Sequence, residues 1–200
     1  MKTSIIVRAG GLIALALPFT NIANAQNLAF NRPVTGNTFY DSGSETFTWQ
    51  NVTDGQYNDT GIPGDWSFWL TPNNTGGFFT VDLGDLFSVT SFTLQNTHNR
   101  GFNDRATRDY TISLSTDGTN FFPVASGTLE FFTSSFNPIP TVAVNIDPTI
   151  GRYVRFTANS WYGASAGLNE IEVYGQPIPT PAAAAVLALG ALTTSRRRRV

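Results

Sequence analysis

Phe79, Val81 and Leu83 are separated by Thr80 and Asp82, and the same every-second-residue spacing of apolar side chains returns five more times. It appears at Phe92/Leu94, Tyr110/Ile112/Leu114, Val142/Val144/Ile146, Val154/Phe156 and Ile171/Val173. A period of two belongs to an extended chain, in which successive side chains point to opposite faces. Each stretch therefore predicts a strand with one face on a core and the other in water. Turn-forming groups lie between them: Asp54-Gly55, the run 73–77, Asp117-Gly118, Asn137-Pro138 and the run 163–167. No window between residues 26 and 175 carries a 3.6-residue stripe. Short strands at this spacing predict an all-β sandwich or jelly roll. The least regular stretch runs from Thr48 to Gly77, and loops of that length in a compact domain are usually functional.

The two ends read differently. Lys2 and Arg8, an apolar run from Ala9 to Leu17 and the small-x-small triplet Ala23-Asn24-Ala25 have the order of a secretion signal, which makes Gln26 the expected mature N-terminus. After Gly175 come a proline-rich spacer, the apolar block Ala182–Leu192 and four arginines, Arg196 to Arg199. A short apolar block closed by arginines suits a transient membrane handle better than a permanent span. This end resembles the bacterial PEP-CTERM sorting tail, with Pro179-Thr180-Pro181 standing where Pro-Glu-Pro is usual. That resemblance implies removal by a sorting protease and delivery to the cell surface or extracellular matrix. The expected organisation is a signal at 1–25, one domain at 26–175, and the spacer and tail at 176–200.

Trimming both ends changes the charge. The precursor has 12 Lys+Arg against 14 Asp+Glu, but residues 26–175 keep only six arginines and no lysine against all 14 acids, a net of −8. Such a surface repels phosphate backbones and anionic lipid, so nucleic acid and membrane surfaces are disfavoured as partners, while a divalent cation becomes plausible. With no cysteine, stability must come from the core or from a metal.

Six segments, in order, resemble the discoidin or coagulation-factor C-type domain of the galactose-binding-like superfamily. They are Asn27–Val34, Val52–Gly55 followed by Trp66, Phe79–Gly84, Asp109–Asn120, Arg152–Phe156 and Gly167–Gly175. The resemblance implies an eight-stranded jelly-roll β-sandwich with ligand loops at one end, and carbohydrate as the common ligand of bacterial members. It also implies a structural calcium held by the first long loop and closed by the Asn-Glu of the last strand. Carried over, the carboxylates would be Asp54 and Glu170, helped by the Asn51 carbonyl, Thr60 and the Asn169 carbonyl. Gln56 stands where Asp or Asn is usual, leaving Asn58 or Asp59 as substitutes.

The residues themselves suggest a ligand face. Thr97 to Arg105 puts planar polar groups and an aromatic ring in one loop, and sugars are held by such donors and acceptors over an aromatic platform. His98, Asn99, Arg100 and Asn103 are the candidate polar contacts. Trp161 and Tyr162 are the candidate platform, with Trp66 or Trp69 as the alternative. Asp104, Arg105 and Asp109 are read rather as ion pairs bracing the loop. The Phe121-Phe122 and Phe131-Phe132 pairs are each expected to place one ring in the core and one near a rim.

Catalysis is not expected. Gly163-Ala-Ser-Ala-Gly167 has the form of a hydrolase nucleophile motif, but that motif needs an α/β setting and a later histidine, and the only histidine is His98. The expected function is an exported, calcium-stabilised, non-catalytic domain that binds carbohydrate. The alternative is a structural or adhesive surface protein that works through protein contacts.

Overall fold

In the computed structural model, which describes residues 26–178, the alternating stretches become two unusually long strands and the neighbours that pair with them. Gly77–Gln95 and Thr141–Ala158 lie antiparallel along most of their lengths, with register shifts between Asn145 and Thr149 and between Gly151 and Tyr153. Gly84, at φ +87°, sits where the first of these strands bends. A residue with a side chain resists that backbone conformation.

The bend divides each long strand between two layers. One layer runs Val34–Gly36, the first half of Gly77–Gln95, the second half of Thr141–Ala158, Asp109–Ser115 and Phe122–Thr128. The other contains Glu170–Pro177, the second half of Gly77–Gln95 and the first half of Thr141–Ala158. Counted by layer, this is the eight-stranded sandwich expected from the sequence, and all its pairings are antiparallel.

The predicted inward positions fill the core. Phe79, Val81, Leu83, Phe92, Ile112, Val154, Phe156 and Ile171 are all fully buried. Phe156 stacks between Phe79 and Tyr110, at centroid distances of 5.3 and 5.7 Å, and Trp69 meets Phe79 edge-on at 5.3 Å. Removing a side chain of this size from water contributes about 1.5–3 kcal/mol.

The irregular stretch 48–77 has its own local order. A 3-10 turn spans Trp49–Thr53, Gly61–Ile62 pairs with Asp65–Trp66, and Trp69–Leu70 pairs with Gly167–Leu168. Phe68 and Leu70 join Phe47 in a second, smaller apolar cluster beneath the loops.

The phenylalanine pairs depart from expectation, since none of the four rings enters the core. Phe122 is 69% exposed, and Phe121 lies against Arg155. Phe131 stacks on Tyr162, and Phe132 packs on Phe136. The bulge at Pro123/Ala125 shifts register beside the first pair, and the second pair falls outside any strand, so strict alternation governs neither. The proposed signal at 1–25, and all but the first three residues of the spacer and tail expected at 176–200, lie outside the described residues.

Candidate functional site

At Gln95 the strand pattern gives way to a run of polar residues that are nonetheless buried, from Gln95 to Asn99. Each has partners within the protein. Gln95 accepts the Asn58 N–H (2.8 Å) and donates to the Ile139 carbonyl (2.7 Å). Asn96 donates to the carbonyls of Thr107 (2.8 Å) and Glu130 (3.1 Å) and accepts the Thr107 N–H. Thr97 Oγ1 accepts the Asn99 N–H (2.9 Å). These bonds anchor the loop that the sequence marks out, and its backbone then turns through left-handed conformations at Asn99, Arg100 and Asn103.

Asp59 pins that turn from another loop. Its Oδ2 accepts the backbone N–H groups of His98 and Arg100, both at 3.0 Å, and lies 3.0 Å from His98 Nδ1. His98 is therefore turned inward and is only 6% exposed. Asn58 is equally committed, to Gln95 and to the Ile139 N–H. Asn58 is thus taken up by the scaffold, whereas Asp59 commits only its Oδ2 and keeps a buried Oδ1 without a hydrogen-bond partner.

Arg100 faces the other way. Its guanidinium carbon lies 4.2 Å from the Trp66 ring centroid and 5.0 Å from that of Phe102. Its Nη1 is 3.5 Å from Glu45 Oε1, which also accepts the Trp66 indole N–H (3.0 Å). Arg105 is held similarly: over the Tyr40 ring at 4.6 Å, donating to Asn73 Oδ1 (2.6 Å) and to Asp104 Oδ2 (3.1 Å). Asn99 donates to Asp104 Oδ1 (2.7 Å). These groups surround a shallow cavity of about 240 Å³, which Tyr40, Glu45, Phe47 and Phe102 line together with Asn99, Arg100, Asp104 and Arg105. Planar donors and acceptors, immobilised beside aromatic rings, are the equipment for gripping hydroxyl pairs and C–H faces.

Of the candidate ligand residues, the structure places Asn99 and Arg100 on this cavity. Asn103 instead bonds the neighbouring loop, exchanging hydrogen bonds with Ser134. Trp161 and Tyr162 do not line it. Trp161 packs on the main core, and Tyr162 stacks on Phe131 at 5.5 Å and donates to the Leu129 carbonyl. Trp69 is a core residue, whereas Trp66 forms the layer under Arg100. Asp104 and Arg105 form the expected ion pair and also face the cavity. Tyr40 and Glu45 were not singled out from the sequence. Their signal is the turn 41–45 between two aromatic residues, a hairpin that pairs Tyr40 with Phe47. A larger hollow of about 530 Å³ shares no residue with this cavity. It lies where the described chain begins and ends, against Gln26, Phe30, Phe87 and Pro177.

The proposed cation residues gather only in part. Glu170 is almost fully buried; its Oε1 accepts the Gly55 N–H at 3.3 Å, and its Oε2 has no hydrogen-bond partner. Burial, reinforced by the Asp54 charge, pushes its pKa up to about 9; burial also raises Asp54 to about 6. Two adjacent carboxylates whose ionised forms are both disfavoured, one with an orphaned oxygen, suit a cation. Asn51 spends its side-chain amide on the Trp66 and Phe68 carbonyls, while its backbone carbonyl accepts the Asp54 N–H in a long bond of 3.5 Å. Thr60 is exposed, and its carbonyl accepts the Ser67 N–H (3.0 Å). The Asn169 side chain points away, toward Ser67 Oγ and Gln95. Among the described residues no three acidic, histidine or cysteine side chains cluster, so carbonyl oxygens would have to complete a shell. Ser165 is fully buried and donates to the Thr71 carbonyl (2.7 Å), so its hydroxyl is committed to the scaffold.

Comparison with known proteins agrees with this architecture. Among solved structures, CpGH89CBM32-5 from Clostridium perfringens, in complex with GalNAc-β-1,3-galactose, superposes with a TM-score of 0.60 at 17% identity, covering 76% of this chain and 99% of that one. A Streptococcus pneumoniae fucose-binding module gives 0.56 at 18% identity, covering 77% and 98%. The chitosan-binding module 1 of a Paenibacillus sp. IK-5 chitosanase/glucanase gives 0.55 at 22% identity, covering 75% and 99%. No curated protein matches by sequence. Residues 34–172 match the F5/8 type C domain, and the chain belongs to that family.

Proposed function

We propose that this is an exported, non-catalytic carbohydrate-binding domain whose sugar site is the cavity between Tyr40, Glu45, Arg100 and Asp104. The observation that carries the reading is the fixation of Arg100 and Arg105 on aromatic rings, with their polar edges in one cavity. A site built before the ligand arrives loses little side-chain freedom on binding. At about 240 Å³ the cavity has room for one or two sugar rings. The binding modules of similar fold, named for GalNAc-β-1,3-galactose, fucose and chitosan, support the same ligand class.

Calcium belongs to this reading as a structural ion. Glu170 and Asp54 would hold it, with the Asn51 carbonyl; it would supply the positive charge that the two carboxylates lack and so fix the 51–60 loop. Export through the N-terminal signal, and processing of the C-terminal tail by a sorting protease, complete the proposal.

A glycan array probed with the full chain in calcium is the test. A hit should lose at least about tenfold in affinity in Arg100→Ala and in Tyr40→Ala, since each removes a wall of the cavity. Hits that survive both substitutions would refute the site. No hit on a broad panel, with self-association instead, would assign the adhesive role.

A further inference from the structure

Arg155 is a half-buried cation with no acid beside it. Among the described residues Arg100, Arg105, Arg108 and Arg152 are ion-paired, to Glu45, Asp104, Asp109 and Asp82. Arg32 is exposed and donates to the Leu28 carbonyl. Arg155 alternates with Val154 and Phe156, both fully buried, so it projects from the outer face of the five-stranded layer. Its guanidinium carbon lies 3.7 Å from the Phe121 ring centroid and 4.4 Å from that of Phe78. Its Nε donates to Thr80 Oγ1 at 3.1 Å, and Nη1 and Nη2 make no hydrogen bond among the described residues. Burial alone lowers its pKa, whereas the Asp82 carboxylate raises that of Arg152.

The surroundings narrow what such a fork can hold. Thr80 and Ser113 stand directly across from Arg155 in the two neighbouring strands, and Thr157, next on the same face, stands between Phe78 and Thr111. Hydroxyls and aromatic rings thus ring an unpaired planar cation, with no carboxylate among them. A guanidinium fork matches a carboxylate in two parallel bonds, and the flanking rings keep it rigid. Phenyl rings and hydroxyls are surfaces for a sugar's C–H faces and hydroxyl groups.

We propose that this sheet face binds the carboxylate of an acidic saccharide, with the Arg155 fork on the carboxylate and Phe78 and Phe121 against the sugar ring. The site is separate from the loop cavity and shares no residue with it. The net negative charge of the domain opposes a polyanion at long range, but that field is screened within about 8 Å at physiological salt. The contact itself is not screened in this way, and Asp82, the nearest acid in the ladder, is neutralised by Arg152.

Calorimetric titration of the full chain with oligogalacturonate, neutral oligogalactose and polyglutamate tests this. Oligogalacturonate is expected to bind at least tenfold more tightly than either control. Arg155→Gln should abolish that preference, and Arg155→Lys, which keeps the charge but not the fork, should retain only part of it. Phe121→Ala, which leaves the sheet intact, guards against misfolding of the arginine variants and should weaken binding severalfold. Equal binding by wild type and a folded Arg155→Gln would overturn the proposal, as would no binding by the wild type. Polyglutamate binding as tightly would overturn it too, assigning the face to acidic peptides.

Discussion

Leu94 and Gln95 are neighbours in one strand, and the molecule changes character between them. Up to Leu94 the side chains of this strand that are fully buried are all apolar and packed in the order that alternation dictates. From Gln95 to Asn99, five consecutive residues are polar and none is more than 6% exposed. The sandwich rests on burial of area, which is non-directional and tolerates small shifts. The base of the loops rests on hydrogen bonds, which fix angles and are costly when one partner is lost. The difference has a purpose. A cavity needs walls at set positions, and a buried polar base gives a loop one geometry where apolar packing would allow several.

Phe156→Ala strikes the centre of the sandwich, between Phe79 and Tyr110, and should give the largest effect: a loss of roughly 3–5 kcal/mol in denaturant unfolding. Glycan affinity of the molecules that stay folded should not change. Asp59→Ala, in the polar base, should cost less, about 2–4 kcal/mol, because two buried backbone N–H groups lose their shared acceptor. It should also release Arg100 and so weaken glycan binding about tenfold. The contrast breaks down if the core variant alters affinity as much as the Asp59 variant does.

The same division explains what could be read in the sequence. Strands were legible at Phe79–Leu83 and Tyr110–Leu114 because apolar and polar side chains alternate along them, even though Thr80 and Ser113 on the polar side are themselves buried. The apolar cluster under the loops was not, because Phe68, Trp69 and Leu70 are buried in succession and show no period. The loop 97–105 stood out by its chemistry, but which side chains face outward depends on partners far along the chain. His98 turns inward because of Asp59, and Arg100 faces the cavity because Trp66 and Glu45 wait there. Distance in sequence hides such pairs, whereas alternation is local.

Glu170 tests the polar base by pH. Folding keeps its proton to about pH 9, while the unfolded chain releases it near the ordinary value of 4.5. Between those limits the unfolded state binds fewer protons, so stability must fall as pH rises. Asp54 adds the same sign between 3.8 and about 6. In chelator, the melting temperature should drop by about 4 °C or more from pH 5 to pH 9. Calcium, which favours the ionised carboxylates, should flatten that slope, and so should Glu170→Gln. An unchanged slope in Glu170→Gln would remove Glu170 as its source, and no calcium effect at any pH would sink the cation proposal.

Arg152 and Asp82 supply the control with the smallest expected effect. The pair is the best-formed ion pair among the described residues, joined by two bonds of 2.7 and 2.8 Å, with side chains 38% and 29% exposed on the sheet. Hydrogen bonding from Arg152 holds the Asp82 pKa below its usual value, so the pair's contribution is present at neutral pH and lost as pH falls through the acid range. If polar contacts mattered by geometry alone, this pair should rival the Asp59 cluster. If burial decides, water replaces each lost bond and Arg152→Ala destabilises far less than Asp59→Ala at neutral pH, with the loss shrinking further in high salt. Urea unfolding at two salt concentrations separates these outcomes. A loss matching that of Asp59→Ala would mean that the loop base is no more dependent on its hydrogen bonds than the surface of the sheet.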